Sequence, residues 1–385
     1  MGARCAVCHE AGGARAEAAR PRQARQGKDR SKETRYWQEK MRFSHASQSL
    51  FDASLRGDPA SASQAVRGLG DPNCCSGAGL RPLQLAISCG NRELVDILLK
   101  AGADINGNAR GAPPPLVLAA GNGDKQLFEV LLGCGADLGI ADELVGDTAL
   151  ARAAERGNLA MVQLILAQGT PGFRTLLAQR ARSGPQGDGS TPLHLAAAGG
   201  FGDVCDRLLG VGADPNAMDG AGKMPLHRAA EMNHVEAAKV LLTFGASALG
   251  QDKEGQAAIH LAAERGLLMM AELLVRFAAD VNSQRRDGQV PTHLAARRGH
   301  DVLCQLLLSQ KAEPNIRDSA GETAFSLAFR EAHVRCCRAL LGAGAEVRAV
   351  DSQRWSPPYT ELDESGPPQG KQTIADDTFR DLVMC

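Results

Sequence analysis

The sequence predicts an all-α repeat, a one-dimensional stack of helix-turn-helix units with projecting turns. Two observations carry this expectation. The stretch Gly189 to Gly200, G-S-T-P-L-H-L-A-A-A-G-G, recurs in phase. With Leu193 as anchor, equivalent positions fall at Leu50, Leu83, Leu116, Leu150, Leu226, Ile259, Thr292 and Phe325, at successive spacings of 33, 33, 34, 43, 33, 33, 33 and 33. A fixed period of this length marks supersecondary units, each exposing an apolar face that only its neighbour can cover. Within a unit the apolar residues follow a helical rhythm, as in Val204, Leu208 and Leu209, and glycines such as Gly200 and Gly212 punctuate it. Function is then to be sought on a surface, and no catalytic pocket is implied.

Composition narrows the class further. The net charge of −1 conceals an uneven distribution: residues 1–48 carry eleven Arg or Lys against five Asp or Glu, and residues 348–385 carry four against seven. Eleven cysteines, an odd number without a period, argue against a disulfide framework and for reduced thiols in the cytoplasm or nucleus. The most hydrophobic segment, Leu267 to Ala279, is interrupted by Glu272 and Arg276, so no membrane span is expected.

Taken in order, residues 1–48 are rich in Ala, Arg, Gly and Gln, and a disordered basic arm is expected because little apolar surface offsets the entropy of ordering. Cys5-Ala6-Val7-Cys8-His9 has the spacing of a c-type haem attachment, but a zinc or haem site would need further ligands that the arm does not supply. Gly2 suggests myristoylation, yet Ala6 stands where Ser or Thr is wanted. An organelle-targeting arm is opposed by Glu10, Glu17, Asp29, Glu33 and Glu39. A solvated tail is the favoured reading.

From Ser49 a degenerate first unit begins, lacking the Thr-Pro pair, as suits a cap whose outer face meets water. In a full unit Thr191 can cap a helix, Pro192 suits its first position, and Ala196 and Ala197 allow close helix packing. Gly200 ends that helix; a second runs from Gly202 to Leu209. Gly212 then leads through Ala213-Asp214-Pro215-Asn216 into a turn.

Thr191-Pro192-Leu193-His194-Leu195-Ala196-Ala197 and Gly212-Ala213-Asp214-Pro215-Asn216 resemble the ankyrin-repeat signature over roughly residues 49–350. The resemblance implies L-shaped helix–helix–hairpin units, projecting β-hairpin loops, and a curved solenoid that binds partners on a concave face. Departures are local: Ala149, Ala258 and Ala324 replace the helix-start proline, Asn233 the glycine, and Thr292 the anchor leucine. These are expected to soften single units.

His194, His227, His260 and His293 recur once per unit, about 10 Å apart on helix-packing dimensions. That is too far for shared metal ligation, so the rings are expected to bond backbone groups of the next turn. No nucleophile–base set, phosphate loop or cofactor motif is present, and enzymatic activity is not expected. Partner-reading residues are sought among the variable positions after the paired alanines: Glu155-Arg156, Ala198-Gly199, Glu231-Met232, Glu264-Arg265, Arg297-Arg298 and Arg330-Glu331. Arg228, Met232, Arg265, Arg285, Arg286, Arg297 and Arg298 are the candidate binding set, forming a basic patch for an acidic peptide or protein through bidentate contacts. The alternative is a charged face that only keeps the stack soluble. Nucleic acid is disfavoured by the absence of a sustained basic stripe, and a monomer is expected.

The 43-residue spacing holds a ten-residue insertion near 170–187. Phe173, Leu176 and Leu177 give it an amphipathic helix that either reads a partner or is tolerated loop growth. Asn106, Asn216, Asn282 and Asn315 each follow an acidic residue by two and a leucine by eight, resembling sites of the asparaginyl hydroxylase that modifies ankyrin arrays. Residues 351–385 form a Pro-rich acidic tail resembling turnover-promoting tails of inhibitor-type ankyrin proteins. Ser356 is a candidate phosphorylation site there, and Thr378 to Val383 is a helical or strand-like docking motif. The expected function is a non-catalytic intracellular scaffold or adaptor; the alternative is an inhibitor that sequesters a transcription factor or enzyme, with the tail governing its lifetime.

Overall fold

The computed structural model describes residues 45–76, 79–107, 112–143, 146–169, 173–179 and 189–346. The Cys5–His9 motif, Ser356 and the Thr378–Val383 motif lie outside these residues. What is described is a row of nine helix pairs. Unit one is α1 (45–56) with α2 (Pro59–Arg67); unit two is α3 (Pro82–Ser88) with α4 (Arg92–Lys100). Units three and four are α5 (Pro115–Asn122) with α6 (Lys125–Gly133), and α7 (Ala149–Glu155) with α8 (Leu159–Ala167). A short helix, α9 (Phe173–Ala178), precedes unit five, α10 (Pro192–Gly199) with α11 (Gly202–Gly210). Units six and seven are α12 (Pro225–Glu231) with α13 (Val235–Thr243), and α14 (Ala258–Arg265) with α15 (Leu268–Arg276). Units eight and nine are α16 (Pro291–Arg298) with α17 (Asp301–Ser309), and α18 (Ala324–Arg330) with α19 (Val334–Gly342).

The first helix of each full unit packs against its equivalents on either side, from α3 through α18. The alanine pairs make this approach close: Ala153, Ala154, Ala196, Ala197, Ala229, Ala230, Ala262, Ala263, Ala295 and Ala296 are all fully buried. The second helices add an aliphatic stripe, Val204, Leu208, Ala238, Leu241, Leu274 and Leu307 among them, so that one apolar core runs the length of the stack. Adjacent elements share it pairwise, the arrangement that gives repeat proteins nearest-neighbour energetics.

The helix starts differ from expectation in who does the capping. The hydroxyl of Thr191 does not bond a helix N–H. Instead the ring of His194, three residues on, accepts from the Thr191 backbone N–H at 3.2 Å, and its Nδ1 lies 2.8 Å from Thr191 Oγ1. This explains why the Thr position tolerates Met224, Ala257 and Val290, whose N–H groups donate to His227, His260 and His293 at 3.1, 3.1 and 3.4 Å. Units four and nine, without a histidine, do use threonine: Thr148 and Thr323 Oγ1 accept from Ala151 and Ser326 at 3.2 Å each.

Gly200 closes α10 at φ 76°, and the same left-handed position falls to Asn233 in unit six, at φ 60°, which asparagine tolerates better than most residues. Gly200 has a second reason to be glycine. A Cβ there would lie 2.4 Å from the His234 ring, which begins the second helix of the next unit; Gly266 stands in the same relation to His300. Thr292, in place of the anchor leucine, is completely buried, and its hydroxyl has no hydrogen-bond partner among the described residues.

Between units the chain makes tight turns. Asp219, Asp252, Arg285 and Asp318 each donate their N–H to the carbonyl four residues on, at 2.9 to 3.0 Å, and antiparallel bridges join Gln251 with Ala257 and Arg317 with Thr323. Neighbouring turns are stitched by backbone bonds from Lys253 to Ala221 (3.2 Å), Arg286 to Glu254 (3.0 Å) and Ser319 to Asp287 (2.9 Å). Among the described residues no strand extends beyond such isolated bridges.

Candidate partner-binding surface

The recurring histidines are scaffold. His194, His227 and His293 each donate from Nε2 to a carbonyl in the next turn, that of Lys223 (2.9 Å), Gln256 (2.8 Å) and Glu322 (3.2 Å). His260 reaches the Ser283 carbonyl at 2.9 Å. With Nδ1 accepting and Nε2 donating, each ring is held as one neutral tautomer. Burial pushes His260 down to about 4, and burial likewise holds His227 and His293 below the ordinary imidazole value. Gln84 does the same work in unit two, accepting from the Arg81 N–H at 3.0 Å and donating to the Pro113 carbonyl at 2.9 Å.

The arginines expected to form a basic patch are mostly committed within the stack. Arg228 points inward to Asp219, Nη2 to Oδ2 2.6 Å, with the carboxylate of Glu231 3.6 Å from Nη1. Arg265 bonds the Glu231 carbonyl and lies 3.8 Å from its carboxylate; Arg298 meets Glu264 at 3.2 Å. Lys223 joins Glu231 from the other side at 3.3 Å. Glu231 thus collects cations from its own unit and the next, an in-stack network that neutralises the inner-helix face.

Arg285 is the largest departure from the expected reading. Every other well-formed turn in this half begins with aspartate: Asp219, Asp252 and Asp318 turn an Oδ1 back to two N–H groups at 2.8 to 3.0 Å. Arg285 holds that position in unit eight and is clamped by Asp287, with Nε to Oδ1 at 3.2 Å and Nη2 to Oδ2. The hydrogen bond from Arg285 lowers the Asp287 carboxyl, and the same contact raises the guanidinium. Asp287 also accepts the Gln289 N–H at 3.1 Å, so the pair substitutes for the missing aspartate.

Two members of the candidate set keep their charge unspent. Arg286 is exposed and Arg297 half-buried, and neither guanidinium has an ion pair or hydrogen bond among the described residues. Met232, at the end of α12, is 48 % exposed. Of the insertion, residues 173–179 are described. Leu176 and Leu177 are buried in the common core, α9 packs on α10, and Gln179 reaches the Gly139 carbonyl at 3.5 Å. The Phe173 side chain lies outside the described set.

Asn106, Asn216, Asn282 and Asn315 belong to a ladder that also includes Asn73, which the sequence pattern misses because alanine stands eight residues before it. Each Oδ1 accepts an N–H of the next unit, from Asp104, Asp137, Ser247, Glu313 and Glu346, at 2.7 to 2.9 Å. For Asn73, Asn216, Asn282 and Asn315, Nδ2 donates to the carbonyl of Gly102, Gly245, Lys311 and Gly344 at 3.1 to 3.3 Å.

The described cysteines are free thiols, and burial pushes Cys205 and Cys337 up to about 12, away from nucleophilic use. No described group of three or more His, Cys, Asp or Glu is arranged to hold a metal, and no described helix is long and apolar enough to cross a membrane. Comparison with family models matches "Ankyrin repeats (3 copies)" at residues 116–219, 193–285 and 259–351, and "Ankyrin repeat" at residues 78–110.

Proposed function

The chain belongs to the ankyrin-repeat family, whose repeats are in general protein–protein interaction modules, and on that premise we propose that it is a non-catalytic scaffold or adaptor for an acidic protein segment. The observation that carries this reading is the contrast within one arginine cluster. Arg228, Arg265, Arg285 and Arg298 are matched to carboxylates of the stack, whereas Arg286 and Arg297 have none. Within unit eight Arg286 stands on the turn and Arg297 at the end of α16, the two elements that the variable positions occupy. A guanidinium with a free fork gives bidentate geometry to an incoming carboxylate, and the exposed Met232 two units back adds an adaptable apolar contact. The buried free thiols support a reducing compartment, cytoplasm or nucleus, as the place of action.

The test is selection of binders from a random peptide library on the full chain. Selected peptides are expected to be rich in Asp and Glu, and to lose at least tenfold in affinity when Arg286→Glu and Arg297→Glu are combined. Arg265→Ala, whose cation is already matched, is expected to change affinity little. Selected peptides without acidic residues, or equal affinity for the double variant, overturn the reading.

A further inference from the structure

The asparagine ladder has a gap that coincides with a patch of exposed apolar side chains. Between units six and seven the asparagine phase is occupied by Leu249, 61 % exposed, which can neither accept from the next unit nor donate to it. Where the phase holds Asn73, Asn216, Asn282 or Asn315, the side chain reaches the carbonyl just after the end of the next second helix, as Asn216 reaches Gly245. The corresponding carbonyl for Leu249 is that of Ala278, one residue from Phe277. Phe277 and Phe244 cap α15 and α13, where other units place Ala101, Cys134, Gln168, Val211, Gln310 or Ala343. Phe244 is 42 % exposed and Phe277 37 %. Three large apolar side chains therefore replace polar or smaller ones at a single junction. Arg276 and Lys311 flank them, both exposed and without an ion pair among the described residues.

We propose that this Phe244–Leu249–Phe277 edge is the docking site of the chain's own C-terminal segment, with Phe379, Leu382 and Val383 covering it and Asp376, Asp377 and Asp381 meeting Arg276 and Lys311. Phe379, Leu382 and Val383 fall at i, i+3 and i+4, three apolar side chains for three on the stack. The reach is ample. Thr378 lies 32 residues beyond Glu346 in the sequence, an extended span of about 100 Å at about 3.3 Å per residue, against unit widths of about 10 Å each back across units nine, eight and seven. Tethering on the same chain raises the effective concentration of the segment to about the millimolar range, so that a small patch suffices where a free peptide would bind poorly. The charges agree in sign as well: the segment from 376 to 381 carries three Asp against one Arg. This surface is formed by different side chains from the arginine site, and the proposal stands or falls independently of it.

Hydrogen–deuterium exchange on the full chain tests the proposal, comparing it with Phe379→Asp/Leu382→Asp, a change outside the packed units. Peptides covering 241–252 and 274–282 are expected to exchange at least fivefold faster in the double variant. A synthetic 374–385 peptide added to that variant should slow them again. Leu249→Asp, at an already exposed turn position, should in turn accelerate exchange at 378–385. Identical exchange in all chains overturns the proposal. So does protection that appears only with rising protein concentration and sediments at twice the mass, which would assign the edge to a second copy.

Discussion

Units three and four differ from units five to eight in how one unit is fastened to the next. From unit five to unit eight each junction is crossed by a histidine ring bonded on both sides, and most by an asparagine as well. At the histidine phase units three and four carry Val117 and Ala151, and at the asparagine phase Gly139, none of which has a side-chain donor or acceptor. The insertion follows these units in the chain, with Leu176 and Leu177 buried and Gln179 reaching toward Gly139. The difference teaches that a repeat junction can be secured by directional polar bonds or by added apolar surface. Leu176 and Leu177 of α9 supply apolar surface of the second kind against α10.

The comparison breaks most readily at the insertion. Leu176→Ala with Leu177→Ala should cost about 4 kcal/mol in urea unfolding, the scale of two buried leucines, with faster amide exchange in α7 and α10 and little change in α16. A loss below about 1 kcal/mol would show that α9 is passive loop growth. Next comes His260→Ala, which strands the Ala257 N–H and the Ser283 carbonyl and leaves a cavity, at a cost of about 3 kcal/mol. His260→Gln should recover most of this, because Gln84 already makes both bonds in unit two. If alanine and glutamine cost the same, the ring acts by volume and the contrast with Val117 disappears.

Acid sharpens the comparison further. Burial depresses the folded-state histidines, so the unfolded chain binds more protons below its ordinary histidine value of 6.5. Their contribution is complete above about 6.5 and is lost as pH falls toward about 4, each tenfold difference in proton affinity between the folded and unfolded chain being worth about 1.4 kcal/mol. Stability should therefore drop between pH 7.5 and pH 5 with exchange accelerating first in units six to eight; uniform acceleration through unit three would contradict the assignment. The smallest effect is a gain. Thr292→Val removes a buried hydroxyl without a partner and should add about 1 kcal/mol, measured as a shift in denaturant midpoint at constant slope.

The phase of the repeat is legible in the sequence because it rests on local identities: the alanine pair, the glycine and the histidine one residue past the anchor all sit within one window. The histidine role follows from the same arithmetic, since no stack brings residues 33 apart onto one metal. The neutralisation of the arginine patch is not legible, because it is non-local. Arg298 finds Glu264 and Arg265 finds Glu231, each 34 residues away by number but one helix away in the stack. Arg285 is legible in principle, for Asp287 stands two residues on and the aspartate expected at the turn is absent. The burial of Leu176 and Leu177 cannot be read, because an insertion has no equivalent in other units to set its phase.

The spacing of the histidine bonds has a further consequence. His194, His227 and His293 each reach a carbonyl 29 residues ahead, so these junctions are interchangeable parts. His260 bonds the Ser283 carbonyl, 23 ahead, and faces that of Gln289, 29 ahead, just as His293 faces those of Ile316 and Glu322. A duplicated 33-residue cassette spliced at unit five or six would find ready-made partners on both sides and lengthen the protein in register.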